Sequence, residues 1–246
     1  MKTLSKLCLI FIFISASSTS KAQILISLIF GDALNTEKIE FGLTTGLNRS
    51  YMLDIEESSG LNNFNLGFYF HINMRETSYL STGVLVKSNV GARGMSTYPI
   101  GDPDFDEVFA DGEMSKKLSY FYVPILWHQR FNNRFFLEGG LQLGLRSKAY
   151  DYFHLEDENN GEIDYKTDVG DDYTRFDLGL LGGMGFKFRK QTKSVAMGLN
   201  YYYGLLNVSK LPDMTIKNSS IYLYVRIPIG TTPNEKKEKK KKNQGT

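Results

Sequence analysis

Cysteine is nearly missing from this sequence. The one cysteine among its 246 residues is Cys8, too near the start to be a convincing lipid-attachment residue and inside a segment that reads as removable. A mature chain without cysteine excludes disulfides, thiol chemistry and thiolate metal sites. Histidine is scarce as well, at three residues, which leaves few positions for a nucleophile–base pair. Past the first residues no apolar run approaches the roughly 20 residues of a spanning helix, so a helical membrane protein is excluded. The formal charge of +2 comes from the ends. Without Lys2, Lys6 and Lys21 and the tail's six lysines and two glutamates, 20 basic residues face 25 acidic ones, so the body carries about −5. An acidic body argues against a nucleic-acid surface.

The ends themselves are informative. Lys2 and Lys6 precede the apolar run Leu7–Ile14, and Ser20-Lys21-Ala22 forms a small-residue cleavage site before Gln23. That order marks residues 1–22 as an export signal rather than a buried N-terminal helix. Residues 23–38 are expected to form a periplasmic segment, with a short helix over the apolar stretch Ile24–Leu34 that could lie at the membrane surface. Residues 231–246 are expected to be a disordered, lysine-rich periplasmic tail, too charged to bury a core. Its lysines suit contact with anionic lipid.

What the body has in quantity is period-two alternation. Phe64, Leu66, Phe68, Phe70 and Ile72 alternate with Asn65, Gly67, Tyr69 and His71. The same grammar returns over Phe121–His128, Arg134–Arg146, Phe176–Lys187, Val195–Gly204 and Ile221–Ile229. With Ile39–Asn48 and Tyr79–Ser88 this makes eight segments of roughly ten to fourteen residues, the length that a tilted membrane strand needs and longer than the usual soluble strand. The connections alternate too. Arg49–Gly60, Asn89–Lys117 and Lys148–Tyr173 are long and Val208–Asn218 is intermediate; Asn73–Glu76, Asn132-Asn133 and Arg189–Lys193 are short. Tight periplasmic turns and long outer loops are the pattern of an outer-membrane barrel. The predicted fold is therefore all-β, an eight-stranded antiparallel up-and-down transmembrane β-barrel over 39–230, with both ends periplasmic.

Phase decides the solvent. With the apolar set turned to lipid, the interior receives Glu40, His71, Lys87, His128, Arg130, Glu138, Arg146, Asp177, Lys187 and Arg226, charges of both signs that must pair or stay wet. A lipocalin-like soluble barrel would show the reverse. Trp127 fits an interfacial aromatic girdle. Eight strands enclose a space that side chains fill, and Tyr69, Tyr122, Tyr202, Tyr222 and Tyr224 are expected to plug it, leaving no wide pore.

The run Leu118-Ser-Tyr-Phe-Tyr-Val-Pro-Ile-Leu126 resembles the tyrosine-rich, proline-centred strand of the PorT-like outer-membrane β-barrel (porin) family of Bacteroidota. Phe176–Phe186 and Tyr203–Val208 resemble that family's sixth and seventh strands, and Ala22-Gln23 its signal junction. The resemblance spans about Ile39–Gly230 and implies an integral outer-membrane barrel, some relatives of which are linked to a gliding- and protease-associated secretion system. The lysine tail departs from the family's habit of ending on the last strand.

Chemistry is thinly represented. His71 and His128 are placed in the interior near the periplasmic ends, where pairing with Glu138 or Asp177 would be structural; His154 sits in the third outer loop near Asp151 and Glu156. Acidic residues crowd the outer loops: Asp102, Asp104, Asp106, Glu107 and Asp111, then Glu156, Asp157, Glu158, Glu162, Asp164, Asp168, Asp171 and Asp172. Such oxygens suit Ca²⁺ or Mg²⁺, which could bridge them to lipopolysaccharide phosphates, but EF-hand spacing is lacking and a solvated loop is the simpler reading. Gly182-Gly183-Met184-Gly185 lies within an alternating strand, where glycines make room for tyrosines or curvature rather than cradle a phosphate. No catalytic, cofactor-binding or metal residue is assigned and no cofactor is expected. The expected function is a non-enzymatic structural, adhesive or binding role, as a monomer among outer-membrane lipids and lipopolysaccharide. An accessory role with envelope or secretion proteins is the alternative, and lipid A modification a third.

Overall fold

The computed structural model describes residues 36–229, apart from 37, 56–57, 111, 133, 158–160, 190–192 and 213. The export signal, nearly all of the segment 23–38 and the lysine tail lie outside the described residues. Among those residues no helix is long and apolar enough to cross a membrane. Strands predominate: β1 (Ile39–Leu53), β2 (Ser59–Asn73), β3 (Ser78–Ser96), β4 (Glu113–Phe131), β5 (Phe135–Asp157), β6 (Gly161–Asp168), β7 (Phe176–Lys187), β8 (Ala196–Gly204) and β9 (Lys217–Pro228), with one short helix, α1 (Pro103–Val108), between β3 and β4.

Antiparallel neighbours pair in sequence order, and β9 returns to β1 from Gly42↔Pro228 to Leu53↔Lys217. The ring therefore closes. Strand β6 stands outside it: it pairs with β5 from Tyr150↔Asp168 to Asp157↔Gly161, whereas the lower part of β5 pairs with β7 from Phe135↔Phe186 to Leu145↔Phe176. Eight strands, β1–β5 and β7–β9, thus form the barrel. Closure leaves no unpaired edge, which hydrocarbon would not tolerate because it offers no hydrogen-bond partner.

The faces follow the predicted phase. Phe68 is 37% exposed and Leu143 45%, while Glu138, Asp177 and Arg226 are 5%, 2% and 7% exposed. The outward apolar positions run from Phe135 to Leu145 on β5 and from Phe176 to Phe186 on β7. About eleven residues at ~3.4 Å rise and ~45° tilt cover roughly 26 Å, the height of an outer-membrane apolar band. Aromatic side chains mark both borders. Phe131, Phe135 and Phe188 stand exposed beside the short turns, and Phe176 and Tyr203 at the opposite rim. Phe135 and Phe186 meet at 5.0 Å between ring centroids. Ile229, counted with the lipid-facing set by its alternation, lies past the end of β9 and is buried.

The outer ends depart from expectation. Of Arg49–Gly60 only 54–58 remains a connection, turned at Asp54 with φ of 68°. Of Asn89–Lys117, the two ends 89–96 and 113–117 continue β3 and β4 and 97–112 connects them through α1, while Lys148–Tyr173 holds the upper end of β5, all of β6 and a 3₁₀ turn at Gly170–Asp172. Two bulges at the barrel rim hid this, and a further register shift lies higher in β3, between Ala92 and Met95. Leu85 faces Tyr122 and Ser88 faces Tyr120, so β3 carries one extra residue; Tyr120 faces Arg146 and Ser119 faces Lys148, so β5 does too. An extra residue moves every later side chain to the other face. Strand β5 accordingly buries Glu138 and Gln142 below its bulge but Ala149, Asp151 and Phe153 above it. Lys87, expected inside, sits within the β3 bulge and is exposed, its ammonium 5.9 Å from the outward Phe64 ring.

A charge placed on the lipid face at mid-height should therefore be costly. Leu143→Arg should destabilise the folded barrel by about 2–4 kcal/mol, read as a lower urea midpoint in lipid vesicles by heat-modifiable gel mobility. An unchanged midpoint would contradict the lipid-facing assignment.

Candidate functional site

Inward side chains fill the barrel in layers. At the periplasmic end, β1, β2, β3, β4 and β5 contribute Glu40, His71, Tyr79, His128 and Phe136, all buried. The His71 and His128 rings lie 5.0 Å apart, and His128 stacks on Phe136 at 4.2 Å. Glu40 accepts a hydrogen bond from the Tyr69 hydroxyl at 2.9 Å and lies 3.6 Å from His71 Nδ1. Lys187 is buried in the same layer, 5.7 Å from the Tyr79 ring.

Above this layer Glu138 gathers partners from three other strands, β4, β8 and β9. Arg226 donates to both oxygens, Nη1 to Oε2 at 2.7 Å and Nη2 to Oε1 at 3.1 Å; Tyr224 and Asn200 donate to Oε1 at 2.7 Å each; His128 Nδ1 lies 3.2 Å from Oε2. Such a fork with added donors is what makes a buried charge tolerable. The next layer centres on Asp177, which accepts from Asn218 at 2.8 Å and from Tyr122 at 3.1 Å. Tyr120, Tyr122, Tyr202 and Tyr222 are almost wholly buried around it. The strand glycines make this possible: a Cβ at Gly179 would come within 2.5 Å of the Tyr202 ring, and one at Gly198 within 2.4 Å of the Tyr224 hydroxyl. Gly182–Gly185 thus belongs to a strand paired on both sides. Between the two charged layers lies a cavity of about 50 Å³, bordered by Gln142, Asn200, Tyr222 and Arg226. Gln142 Oε1, Asn200 Oδ1 and Arg226 Nε have no protein partner, and a polar space of this size accommodates water.

Among the described residues, His71 and its nearest facing serine are not joined as a nucleophile–base pair. Ser81 is paired opposite His71 across β2 and β3, and both are buried, but no hydrogen bond joins them. The interior-histidine expectation holds for His128 with Glu138 and fails for Asp177, which uses Tyr122 and Asn218 instead. His154 binds Asp164 of β6 at 2.7 Å, not its sequence neighbour Asp151. Among the described residues, His, Cys, Asp and Glu do not collect in metal-sized groups of three. The outer carboxylates go instead to local bonds: Asp106 accepts from the Ile100 N–H at 2.6 Å and Asp168 from the Gly170 N–H at 2.8 Å.

The strand extensions carry the apolar core of the barrel interior on past the rim, in one continuous cluster with Tyr120, Tyr122, Tyr202 and Tyr222. Met95, Phe109, Met114, Ala149 and Phe153 are buried there, and Tyr98, Phe105 and Tyr165 pack round them with ring centroids 5.2–6.3 Å apart. Asp151, fully buried, takes Lys116 Nζ at 2.5 Å and the Tyr98 hydroxyl at 3.0 Å. Burial first, then the Asp151 charge, pushes the Tyr98 hydroxyl well above its ordinary range, so it remains a donor. Arg146 staples the 3₁₀ turn, donating to the carbonyls of Gly170 at 2.7 Å, Thr174 at 3.0 Å and Tyr173 at 3.1 Å. A recess of about 190 Å³ opens between Tyr98, Ile100, Phe105 and Phe153. The sequence reading missed this extension; alternation restarted after the bulges, in Met114-Lys116-Leu118 against Ala149-Asp151-Phe153, would have located it.

A closed ring with a lipid-facing outside and a charged, filled inside defines an integral β-barrel of the outer membrane. Residues 22–210 match the outer membrane protein beta-barrel domain, and the chain belongs to that family and resides in the outer membrane. Among solved structures it is similar to Ail, the attachment invasion locus protein of Yersinia pestis, at 14% identity and a TM-score of 0.43 over 78% of this chain and 99% of that one. It is also similar to Neisserial surface protein A, at 10% and 0.39 over 78% and 99%, and to the outer membrane protein AlkL, at 10% and 0.31 over 77% and 90%. No curated protein sequence matches it.

Removing Glu138 alone should leave the Arg226 charge buried and unpaired. Glu138→Ala should cost about 3–5 kcal/mol, and the paired replacement Glu138→Met with Arg226→Met much less, measured by urea unfolding in lipid vesicles. Equal losses in the two variants would show that the pair does not hold the interior together.

Proposed function

We propose that this outer-membrane barrel is a monomeric, non-enzymatic binding or adhesive protein that works through its outer face. The supporting observation is an asymmetry. Inside the barrel, the space left between the charged layers is about 50 Å³, against the roughly 300–1,000 Å³ of ordinary ligand pockets. Outside it, β3, β4, β5 and β6 continue as an ordered platform packed on an aromatic extension of the interior core. A protein that moved solutes would keep its interior open, and one that only anchored itself would have no use for a built outer platform.

The likeness of Leu118–Leu126 and Phe176–Phe186 to PorT-like strands favours a second reading, an accessory role in which envelope or secretion proteins are the partners. Lipid A modification is the least supported: His71 and His128 are enclosed by the barrel wall, out of reach of the surrounding lipid.

Planar-bilayer recordings of the purified barrel should show no porin-sized conductance. Cells displaying the full chain should attach more strongly than control cells to matrix-protein and glycan arrays, and replacing residues 97–112 by a short turn should abolish the gain without preventing barrel insertion. Attachment unaffected by that replacement, or a steady open conductance, would refute the reading. Recovery of stable periplasmic partners by pull-down would favour the second one.

A further inference from the structure

Four lysines surround a groove of about 370 Å³ on the outside of the β3–β4–β5 wall: Lys87, Lys117, Lys148 and Lys166, with Tyr150 and Tyr152 between them. Both bulges contribute. The β3 bulge turns Lys87 outward, and the β5 bulge, at Ser147, precedes the exposed Lys148. Rings rather than carboxylates lie beside Lys117 and Lys166. Lys166 Nζ lies 3.4 Å from the Tyr150 centroid and 5.5 Å from that of Tyr152; Lys117 Nζ is 5.9 Å from that of Tyr152. Among the described residues none of the four ammonium groups pairs with a carboxylate. Asp168, opposite Tyr150 in register, is committed to the Gly170 N–H.

The height of the groove identifies its partner. On β4 the outward series reads Phe121, Ser119, Lys117; on β3 it reads Val84, Val86, Lys87; on β5, Leu145 and then Ser147-Lys148. Phe121, Val86 and Leu145 are 41–46% exposed and belong to the lipid-facing band. The lysines begin where that band ends on the outer side, and Lys117 stands about 13 Å along the strand from Phe121 at ~3.4 Å per residue. This is the level of the outer-leaflet headgroups. Farther out the exposed side chains turn acidic, at Asp102, Glu107, Glu162 and Asp164. A soluble polyanion approaching from outside meets those carboxylates first, whereas a lipid phosphate reaches the lysines sideways, within the leaflet.

We infer that this groove binds the phosphate groups of a phosphorylated outer-leaflet glycolipid, of the lipid A type. The inference rests on the outer-membrane placement and not on the adhesive reading. Lys87 and Lys148 close the two sides of the groove, and the tyrosine rings fix Lys117 and Lys166 so that the site is formed before the lipid arrives. The acidic loops need not be bridged through divalent ions for the chain to hold such a lipid.

The test uses the full-length barrel in detergent, titrated with fluorescent bis-phosphorylated lipid A, with the same lipid stripped of phosphate, and with a heparin oligosaccharide. A triple variant, Lys117→Gln with Lys148→Gln and Lys166→Gln, is carried in parallel, and heat-modifiable mobility confirms that it folds. Binding of the phosphorylated lipid should be at least ten-fold tighter than that of the stripped lipid, should weaken as salt rises, and should fall at least ten-fold in the variant. Equal binding of the two lipids, or unchanged binding by the variant, would overturn the inference. Heparin binding lost in the variant while lipid A binding persists would overturn it in favour of a sulfated polysaccharide. The adhesive reading is tested by replacing 97–112, which leaves these lysines in place, so the two fail separately.

Discussion

Hydrocarbon offers no hydrogen bonds, and the rest of this molecule follows from that constraint. Every backbone N–H and C=O within the membrane must find a partner in the chain, which a closed ring of eight strands supplies. Once the outside is surrendered to apolar side chains, period two sends the charged groups within the apolar band inward. The interior must then neutralise what it receives. Glu138 does this at the centre, drawing Arg226 and Tyr224 from β9, Asn200 from β8 and His128 from β4 onto one carboxylate. The interior polar network is thus a consequence of the solvent outside, and by filling the barrel it moves function to the surface.

The two bulges connect this packing to the outer face. By shifting phase in β3 and β5 they let the hairpins leave the membrane register and extend the interior core outward, where Asp151 makes a buried ion pair and accepts a tyrosine hydrogen bond. The same shifts expose Lys87 and Lys148 at the lipid border. The rim bulges of β3 and β5 therefore contribute to both the outer platform and the basic groove beneath it.

Most of the barrel was legible in the sequence because each strand reports its own faces. Phe135, Leu137, Leu141, Leu143 and Leu145 declare the lipid side of β5 without reference to any neighbour, and all are exposed. The short turns after β2 and β4 were legible for the same reason, since a tight hairpin interrupts a periodic run at a fixed point. The outer ends were not. A bulge is defined by the partner strand, so the extra residue at Val86–Lys87 looks, in one chain, like the end of alternation. Asp151 and Lys116 read as loop charges until register places them together.

Sequence alone determined the number of barrel strands, the lipid-facing surface and the charged interior, because alternation, strand length and aromatic borders are local quantities read one strand at a time. Tertiary structure alone decided which donors meet at Glu138, that His128 rather than His71 shares that carboxylate, and that loops predicted beyond Asn48, Ser88 and Arg146 are strands. Those outcomes depend on register between strands far apart in the chain, and register is fixed only when the ring closes.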